Sequence, residues 1–595
     1  MSAKYVVGID LGTTNSVIAV ADLEAEAPVV DLVEIPQLVA PSTIESRKSL
    51  PSFLYLATES DQAGDKLELP WGADQNYAIG EWARRQSADT PDRTVGGAKS
   101  WLSHHKADRQ GNILPWNAPE EVGKVSPVEA SRRYLQHLAA AWNNAHPEHP
   151  LADQAVVLTV PASFDASARE LTREAAVGAG LPADFTLLEE PQAAVYSWLG
   201  HMGDNWRKAL KVGDKLLVCD VGGGTTDLTL ITVEEEQGEL ILKRMAVGNH
   251  LLVGGDNMDL AVAFHVAELF KEKNVTLDPW QSVSLWHSCR AAKEDLLREE
   301  GPEKHPVSIL GRGSKLIAKT VSVDVEREPI QAMLLEGFFP QCAGSEKPQR
   351  GFVSGFQELG LPFESDPAVT RHLAEFLAVH AEKAGSPINP THVLFNGGVF
   401  KSESFQTRLM ETLAAWQPEQ PPQRLEGPHD LDYAVARGAA FYGWAKEKGG
   451  IRIRGGTAQA YYVGIQTSGL AIPGAPRPLH LLNVVPIGME EGTETDVPSA
   501  EVGLVVGETT KFRFFSSPSR KDDKPGQMLQ RWDEAEVSET DSLEANLPRD
   551  DKINEPYVPV TFHSKVTELG MLELWCVSSK TNGRWKLEFN VREED

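Results

Sequence analysis

At 595 residues the chain is too long for one hydrophobic core, and a composition of 41% hydrophobic and 24% charged residues is that of a soluble globular protein of several domains. Its 85 acidic against 57 basic residues leave a formal charge of −28, which repels phosphate backbones and anionic lipid and argues against nucleic acid or a membrane as partner. No run has the apolar length of a transmembrane helix, no basic and apolar leader opens the chain, and Cys219, Cys289, Cys342 and Cys576 lack C-x-x-C spacing, so a cytoplasmic protein with reduced, buried thiols and no zinc site is expected.

Residues 6–20 read V-V-G-I-D-L-G-T-T-N-S-V-I-A-V, two apolar β-type runs joined by a turn that carries Asp10, Gly12, Thr13, Thr14 and Asn15. The layout recurs at residues 216–231, L-L-V-C-D-V-G-G-G-T-T-D-L-T-L-I, which predicts two duplicated halves facing one cleft. Such turns suit phosphate. Glycine lets backbone N–H groups approach an anion, Thr hydroxyls add donors, and an Asp at a strand end can hold hydrated Mg²⁺. Gly222, Gly223 and Gly224 each cost about 0.5 to 1 kcal/mol relative to Ala inside an element, so a triplet between good strands predicts a backbone that something must approach.

At these two stretches, Asp10 to Ser16 and Asp220 to Asp227, the sequence resembles the phosphate loops of the DnaK-type seventy-kilodalton heat-shock chaperones, within the actin and sugar-kinase superfamily. The resemblance implies ATP and Mg²⁺ as ligands. Because ATP is itself anionic, its site must be a local exception to the acidic surface, made by glycine amides, Lys99 and the metal.

Further along, residues 52–56 read as a strand. In Gly96-Gly97-Ala98-Lys99-Ser100-Trp101-Leu102, Lys99 by itself reads as a solvated lysine, whereas the resemblance implies a lysine brought to the γ-phosphate. Ser126-Pro127-Val128-Glu129 is a helix start with a capping box, and Ala130, Tyr134, Leu138 and Trp142 form the helix's buried stripe. Residues 155–160 form a buried strand that ends at Pro161, and Asp165 opens a helix that stops at Gly178 and Gly180, an order that predicts a βαβ-type lobe. Pro161 and Arg169 read as a strand stop and a helix-face cation, and by resemblance as the pair that relays nucleotide state. Glu189 and Glu190 precede a Pro-started helix and suit its dipole, and by resemblance Glu190 lies beside the attacking water while Glu189 replaces a more usual Asn.

His250-Leu-Leu-Val-Gly254-Gly255-Asp-Asn-Met-Asp259 is a Gly-Gly turn running into a helix over residues 260–270, similar to a family step. A second helix over residues 280–297 matches the adenine-binding helix only at Lys293, with Arg290 and Glu294 standing where an acidic residue and a stacking arginine are usual. Residues 301–390 are expanded and carry no assigned chemistry. A strand at 391–395 ends in Asn396-Gly397-Gly398, and Ser402 begins a helix with Phe405, Leu409, Leu413 and Trp416 inside. Where the family places an Arg under the nucleoside, Val399, Phe400 and Lys401 follow the glycines, so an aromatic or a lysine is expected to supply that face. Asp432 heads a helix of small residues, Ala434 to Ala440, suited to close backbone packing.

Residues 1–448 are therefore expected to form a two-lobed, actin-like, ribonuclease-H-type α/β ATPase domain. A basic linker, Ile451-Arg452-Ile453-Arg454-Gly455-Gly456, replaces the family's acidic, Leu-rich one. Residues 457–595 alternate apolar and polar residues over 501–506, 511–515, 558–562 and 571–577, which predicts an antiparallel β-domain similar to the end of the family's peptide-binding sandwich, with a polar surface excursion at 516–555 and no helical lid. In the leading reading this is an ATP-hydrolysing, chaperone-like protein with polypeptide clients and co-chaperones. Asp10 and Asp220 hold Mg²⁺ largely through water, Gly12, Thr13, Thr14, Asn15, Gly222, Gly223, Gly224 and Thr225 hold phosphates, Lys99 neutralises charge, and Glu190 and Asp227 orient water. Gly254, Gly255, Lys293, Gly397, Gly398, Phe400, Lys401 and Asp432 complete the nucleotide site. Two rivals stay open: a nucleotide-sensing co-chaperone or assembly factor with little turnover, favoured by Glu294, Val399 and the linker, and a small-molecule kinase of the same superfamily.

Overall fold

The computed structural model describes residues 3–590 apart from 63–65, 73–75, 105–106, 117, 237–238, 249–250, 310–319, 350–362, 386, 428–429, 450–452, 456, 458, 467–478, 507–508, 518–519, 521, 534–535, 541–542, 547–556, 570 and 582. The chain divides into two compact units, Met1–Arg452 and Ile453–Asp595.

In the first unit the opening apolar runs form β1 (Tyr5–Leu11) and β2 (Asn15–Asp22), antiparallel and continued by β3 (Val30–Leu32). On the other side of β1, β4 (Ala155–Val160) and then β5 (Thr186–Glu189) are added in parallel. The second repeat builds the same pattern. β6 (Lys215–Val221), β7 (Thr226–Glu236) and β8 (Glu239–Val247) are antiparallel, and β9 (His392–Asn396) and β10 (Gln423–Arg424) join β6 in parallel. Each repeat thus puts its Asp at the same place, the penultimate residue of a central strand. Asp10 pairs in register with Thr159, and Asp220 with both Asp227 and Asn396.

The helices that matter for the site are α1 (Ala98–Leu102), α2 (Pro127–Ala145), α3 (Ala166–Gly178), α4 (Glu190–Met202), α5 (Gly255–Glu272), α6 (Pro279–Leu297), α7 (Glu403–Trp416) and α8 (Ala434–Lys448). Ser126 caps α2 as expected, its Oγ accepting from the Glu129 N–H at 3.0 Å. The Glu129 carboxylate, however, accepts from Arg132 and Arg133 at 2.6 and 2.7 Å, the stronger charged partners, where a full capping box would turn it back to Ser126. The full box belongs to α6, where Asp278 and Gln281 exchange bonds of 2.8 and 3.0 Å. α5 begins at Gly255 and not at 260, because the Gly-Gly turn itself supplies the helix start. The small residues of α8 do what their size allows: a Cβ on Gly438 would lie 1.7 Å from the Ala193 carbonyl oxygen of α4, and one on Gly8 2.4 Å from Ala440 N.

Residues 52–56 are not one strand. Pairing stops at Pro51 and resumes at Leu54, because Ser52 is turned to the first loop. Within 301–390, a hairpin of Lys304–Ile309 and Val321–Glu326 leads into a helix, Arg327–Phe338, whose Ile330, Leu334 and Phe338 join the second half's core. His250, and Ile451, Arg452 and Gly456 of the linker, lie outside the described residues.

Among its described residues the second unit contains strands, turns and loops and no helix. β11 (Ala460–Gln466), β12 (Leu479–Val485) and β14 (Phe514–Ser517) form one sheet, and β13 (Thr493–Val505), β15 (Tyr557–Val566), β16 (Met571–Ser578) and β17 (Arg584–Asn590) form the other. Alternate residues such as Val558, Val560, Phe562, Leu572, Leu574 and Cys576 fill the core between them. The stretch 516–555 is more than a surface excursion. Met528–Leu529 pairs with β12, Ser538–Glu539 with β14, and Asp523 accepts a 2.6 Å bond from the buried Tyr462 hydroxyl. No helix among the described residues is long and apolar enough to cross a membrane.

Candidate active site

Both turns end up on one cleft of about 380 Å³, the size of a small-molecule site. The first turn, between β1 and β2, is held from outside by Ser52. Its Oγ donates to the Gly12 carbonyl at 2.7 Å, its N–H donates to the Thr14 carbonyl at 2.9 Å, and its Oγ lies 2.9 Å from Ser16 Oγ. The second turn, between β6 and β7, is closed by Gly222 N–H to Thr225 O at 2.9 Å and then feeds α5, whose first N–H groups, Gly255 and Asp256, donate to the Gly222 and Gly223 carbonyls at 2.9 and 2.7 Å. A Cβ on Gly254 would come within 2.6 Å of the Gly223 oxygen, so glycine there is a packing requirement.

Asp10, Gly12, Thr13, Thr14, Asn15, Lys99, Glu190, Asp220, Gly222, Gly223 and Thr225 line the cleft, together with Gly255, Lys293, Gly397, Gly398, Lys401 and Asp432. Gly224, Gly254 and Asp227 are not in this lining: Gly224 and Gly254 pack against Thr13 and Gly223, and Asp227 acts on Lys99. Phe400 does not face the cleft: it is fully buried, with its ring 4.5 Å from Phe395 and 5.9 Å from Phe339. The expectation that it supplies a nucleoside-facing surface is therefore corrected. Three aromatic rings within reach of one another gain more from the core than one gains beside solvent. Lys401, the other candidate for that face, is tied to Asp432 at 2.5 Å.

The cleft floor is short of positive charge. Lys99, 6% exposed, is paired with Glu190 and faces Asp10 and Asp227. Burial opposes its charge, but the Glu190 and Asp10 carboxylates outweigh that and hold its ammonium above the usual lysine range. Burial, reinforced by Glu190, lifts Asp10 to about 7. Burial likewise raises Asp220, where an Asn396 amide donating at 2.8 Å compensates only in part, and raises Glu190 and Asp227. Asp227 accepts from the Ser163 N–H at 3.2 Å. Four carboxylates therefore share one lysine, an arrangement that favours an added cation. No group of three or more His, Cys, Asp or Glu at direct metal-binding spacing occurs among the described residues. A Mg²⁺ would thus be held by Asp10 and Asp220 through water and by phosphate oxygens, in keeping with its reluctance to dehydrate.

Gly398 lines the cleft with an ordinary φ, and a Cβ there would meet nothing within 4 Å, so neither backbone nor packing demands glycine. The empty volume beside it is the cleft itself. Gly397 is different: its φ of +87° and the Val221 oxygen, 2.2 Å from a would-be Cβ, impose glycine outright.

At the other end of the cleft, Arg290 and Lys293 of α6 are both engaged by acids. Arg290 donates to Asp259 at 2.7 Å and to Asp256 at 2.5 Å, and Lys293 reaches Asp259 at 2.5 Å and the Gly255 carbonyl at 2.9 Å. The two cations overcome burial and hold Asp259 below the usual carboxylate range. Glu294, Leu297 and Arg298 complete this wall. Glu189 is absent from the cleft. It is fully buried, 3.3 Å from Arg244 and 3.8 Å from Arg169, which also donates to the Ala162 carbonyl at 3.0 Å. Ser52, Asn396, Asp256 and Arg298 escaped the sequence reading. Asn396, directly before Gly397-Gly398 at a strand end, and Asp256, directly after Gly254-Gly255, carried a local signal.

The Hsp70 protein family model matches residues 71–336. A chaperone protein HscA homolog of Burkholderia orbicola (strain MC0-3) is 30% identical over 352 residues, 57% of this chain and 48% of that protein. One of Burkholderia multivorans (strain ATCC 17616 / 249) is 31% identical over 340 residues, 54% and 46% of the two chains. The chain spans about half the length of the curated relatives it matches. The family match takes in Lys99, Glu190, the second glycine turn and α6, and the cleft joins these to Asp10, Gly398 and Asp432, which lie outside it. Residues 71–336 of this chain are thus similar to the Hsp70 protein family, the family that its two glycine turns resemble.

Proposed function

We propose that the chain is a Mg²⁺-dependent ATPase of the actin-like, ribonuclease-H-type architecture, with a domain over residues 1–448 whose turnover serves polypeptide binding by a β-domain over residues 457–595. The observation that carries this reading is the pairing of two glycine turns with four buried carboxylates around a single lysine. Phosphoryl transfer to water asks for positioning and charge neutralisation more than covalent chemistry. Backbone N–H groups of the turns and the Thr13, Thr14 and Thr225 hydroxyls cradle the phosphates. Lys99 offsets charge on the terminal phosphoryl group. Glu190 and Asp227, whose proton affinity burial raises, accept hydrogen bonds from water and orient it in line. Bound Mg²⁺ supplies neutralisation of the phosphate oxygens. The β-domain is assigned the polypeptide because its last strands resemble the end of the family's peptide-binding sandwich.

The nucleotide-sensing reading is favoured by one observation. Arg290 is pinned by Asp256 and Asp259, and Glu294 offers no π-face, so the base is held weakly compared with the phosphates. Turnover of ATP by the purified chain, with Mg²⁺ and with chelator, tests the proposal, with phosphate release and phosphorylated small molecules followed together. Magnesium-dependent release of inorganic phosphate is expected. Phosphate appearing only on an added metabolite would make the protein a kinase, and tight binding without turnover would make it a sensor.

A further inference from the structure

A buried ion cluster ties the two halves of the first unit together behind the cleft. Glu189, the last residue of β5, is fully buried, and its two oxygens meet a guanidinium from each half of the chain: Arg169 of α3 at 3.8 Å and Arg244 of β8 at 3.3 Å. Gln192 donates to the same oxygen as Arg244, at 3.0 Å. Glu189 stands at the N-cap of α4 yet makes no capping bond with its side chain, so the carboxylate is given to the arginines and not to the helix end. None of the three charged residues lines the cleft. Stability is a poor reason for them, because apolar residues of like volume in place of a buried ion pair are often neutral or stabilising.

The elements that carry the cluster also carry the two water-orienting groups. Glu190 follows Glu189 at the same strand-to-helix junction and is turned into the cleft, to Lys99. Arg244 is paired in register with Ile231 of β7, the strand that opens with Thr226 and Asp227. We propose that Arg244 is a positioning residue for hydrolysis: by holding Glu189 across the two halves it keeps Glu190 of the first half and Asp227 of the second at one spacing, so that a single water meets both. The inference rests on the ATPase reading above and deepens it. The Ser163 N–H, which donates to Asp227 at 3.2 Å, is a second bond between the halves near these groups, and Arg244 supplies the charged one. In-line attack tolerates little displacement, since a shift of about 1 Å in a reacting geometry can cost on the order of 100-fold in rate.

The test compares the wild-type full-length chain with Arg244→Met, Arg244→Lys, Glu189→Gln and the double variant Glu189→Gln/Arg244→Met. Arg244→Met leaves Glu189 its Arg169 partner and removes only the tie to the second half. Thermal midpoints establish folding, affinities are titrated with Mg²⁺ plus the β,γ-imido analogue of ATP and with Mg²⁺ plus ADP, and single-turnover hydrolysis reads the chemical step. In Arg244→Met the expected result is a single-turnover rate about tenfold lower with both affinities within about twofold of wild type, and in Arg244→Lys a rate restored to within about threefold. The double variant should be no slower than the slower single variant, because both changes cut one tie. Where Arg244→Met does not fold, the nearly isosteric Glu189→Gln carries the same comparison. An unchanged single-turnover rate in the folded variants would overturn the inference and leave the cluster as a structural ion pair. Equal losses of rate and of both affinities would overturn it too, by showing a general loosening of the cleft, as would losses that multiply in the double variant. Wild-type chain that binds ATP without hydrolysing it, or binds neither nucleotide, would instead overturn the ATPase reading, so the two failures are told apart.

Discussion

Lys99→Ala is the perturbation from which the site has most to lose. The ammonium it removes is buried, is paired with Glu190 and faces Asp10 and Asp227. Removing one partner of a buried ion pair costs about 3–5 kcal/mol where the other charge is left stranded. Here Glu190 is already raised by burial, so it can take up a proton, and a loss of folding stability nearer 2–3 kcal/mol is expected. ATP binding should stay within about tenfold of wild type, because the glycine turns and the Thr hydroxyls are untouched. The chemical step should fall by roughly 100-fold or more, since charge develops on the terminal phosphoryl group where the ammonium stood. Single-turnover hydrolysis, with enzyme in excess over radiolabelled ATP, separates the step from binding and release. Unchanged single-turnover rates in a folded variant would refute the assignment and leave Lys99 as the structural counter-ion of Glu190.

Gly398→Val should leave the thermal midpoint within a degree or two, because a Cβ there meets nothing within 4 Å, while nucleotide affinity drops at least tenfold; retained affinity in a titration would place the ligand elsewhere. Phe400→Ala should destabilise the first unit by about 3–5 kcal/mol in urea unfolding and leave the ratio of ATP to GTP affinity unchanged, and a changed ratio would return the ring to the nucleoside site. Asp10, lifted to about 7 in the folded chain from an unfolded value near 3.8, makes its protonated form a source of stability that is lost as pH rises through that window. Mg²⁺ with nucleotide should therefore release a proton near pH 6.5, seen by calorimetry in buffers of different ionisation enthalpy, and affinity should tighten as pH rises toward 8. No buffer dependence would show that Asp10 is already ionised.

The repeated strand, turn and strand was legible because its signal is local: alternating and continuous apolar runs set the strands, and Asp and Gly sit at fixed offsets within them. The helix of small residues at Ala434–Lys448 was legible for a like reason, since only glycine at 438 permits a carbonyl of a neighbouring helix to come so near. What escaped depends on contacts between distant residues. Ser52 reads as part of a strand, yet it breaks the strand to hold Gly12 and Thr14, forty and thirty-eight residues away in sequence. Phe400 lies two residues beyond Gly398 and shares its loop, and only the three-dimensional packing of Phe339 and Phe395 turns its ring inward. Tyr462 and Asp523 likewise fold a polar stretch back onto a sheet through one buried bond that no local pattern announces.

The central claim, an ATPase that works on polypeptides, is tested most directly by steady-state ATP turnover of the full chain with Mg²⁺, measured with and without a permanently unfolded, carboxymethylated polypeptide. Slow basal phosphate release that rises several-fold with polypeptide, and disappears in Lys99→Ala, is the predicted result. Phosphate release that is absent under both conditions, or that is identical with and without polypeptide over a saturating range, would contradict the account.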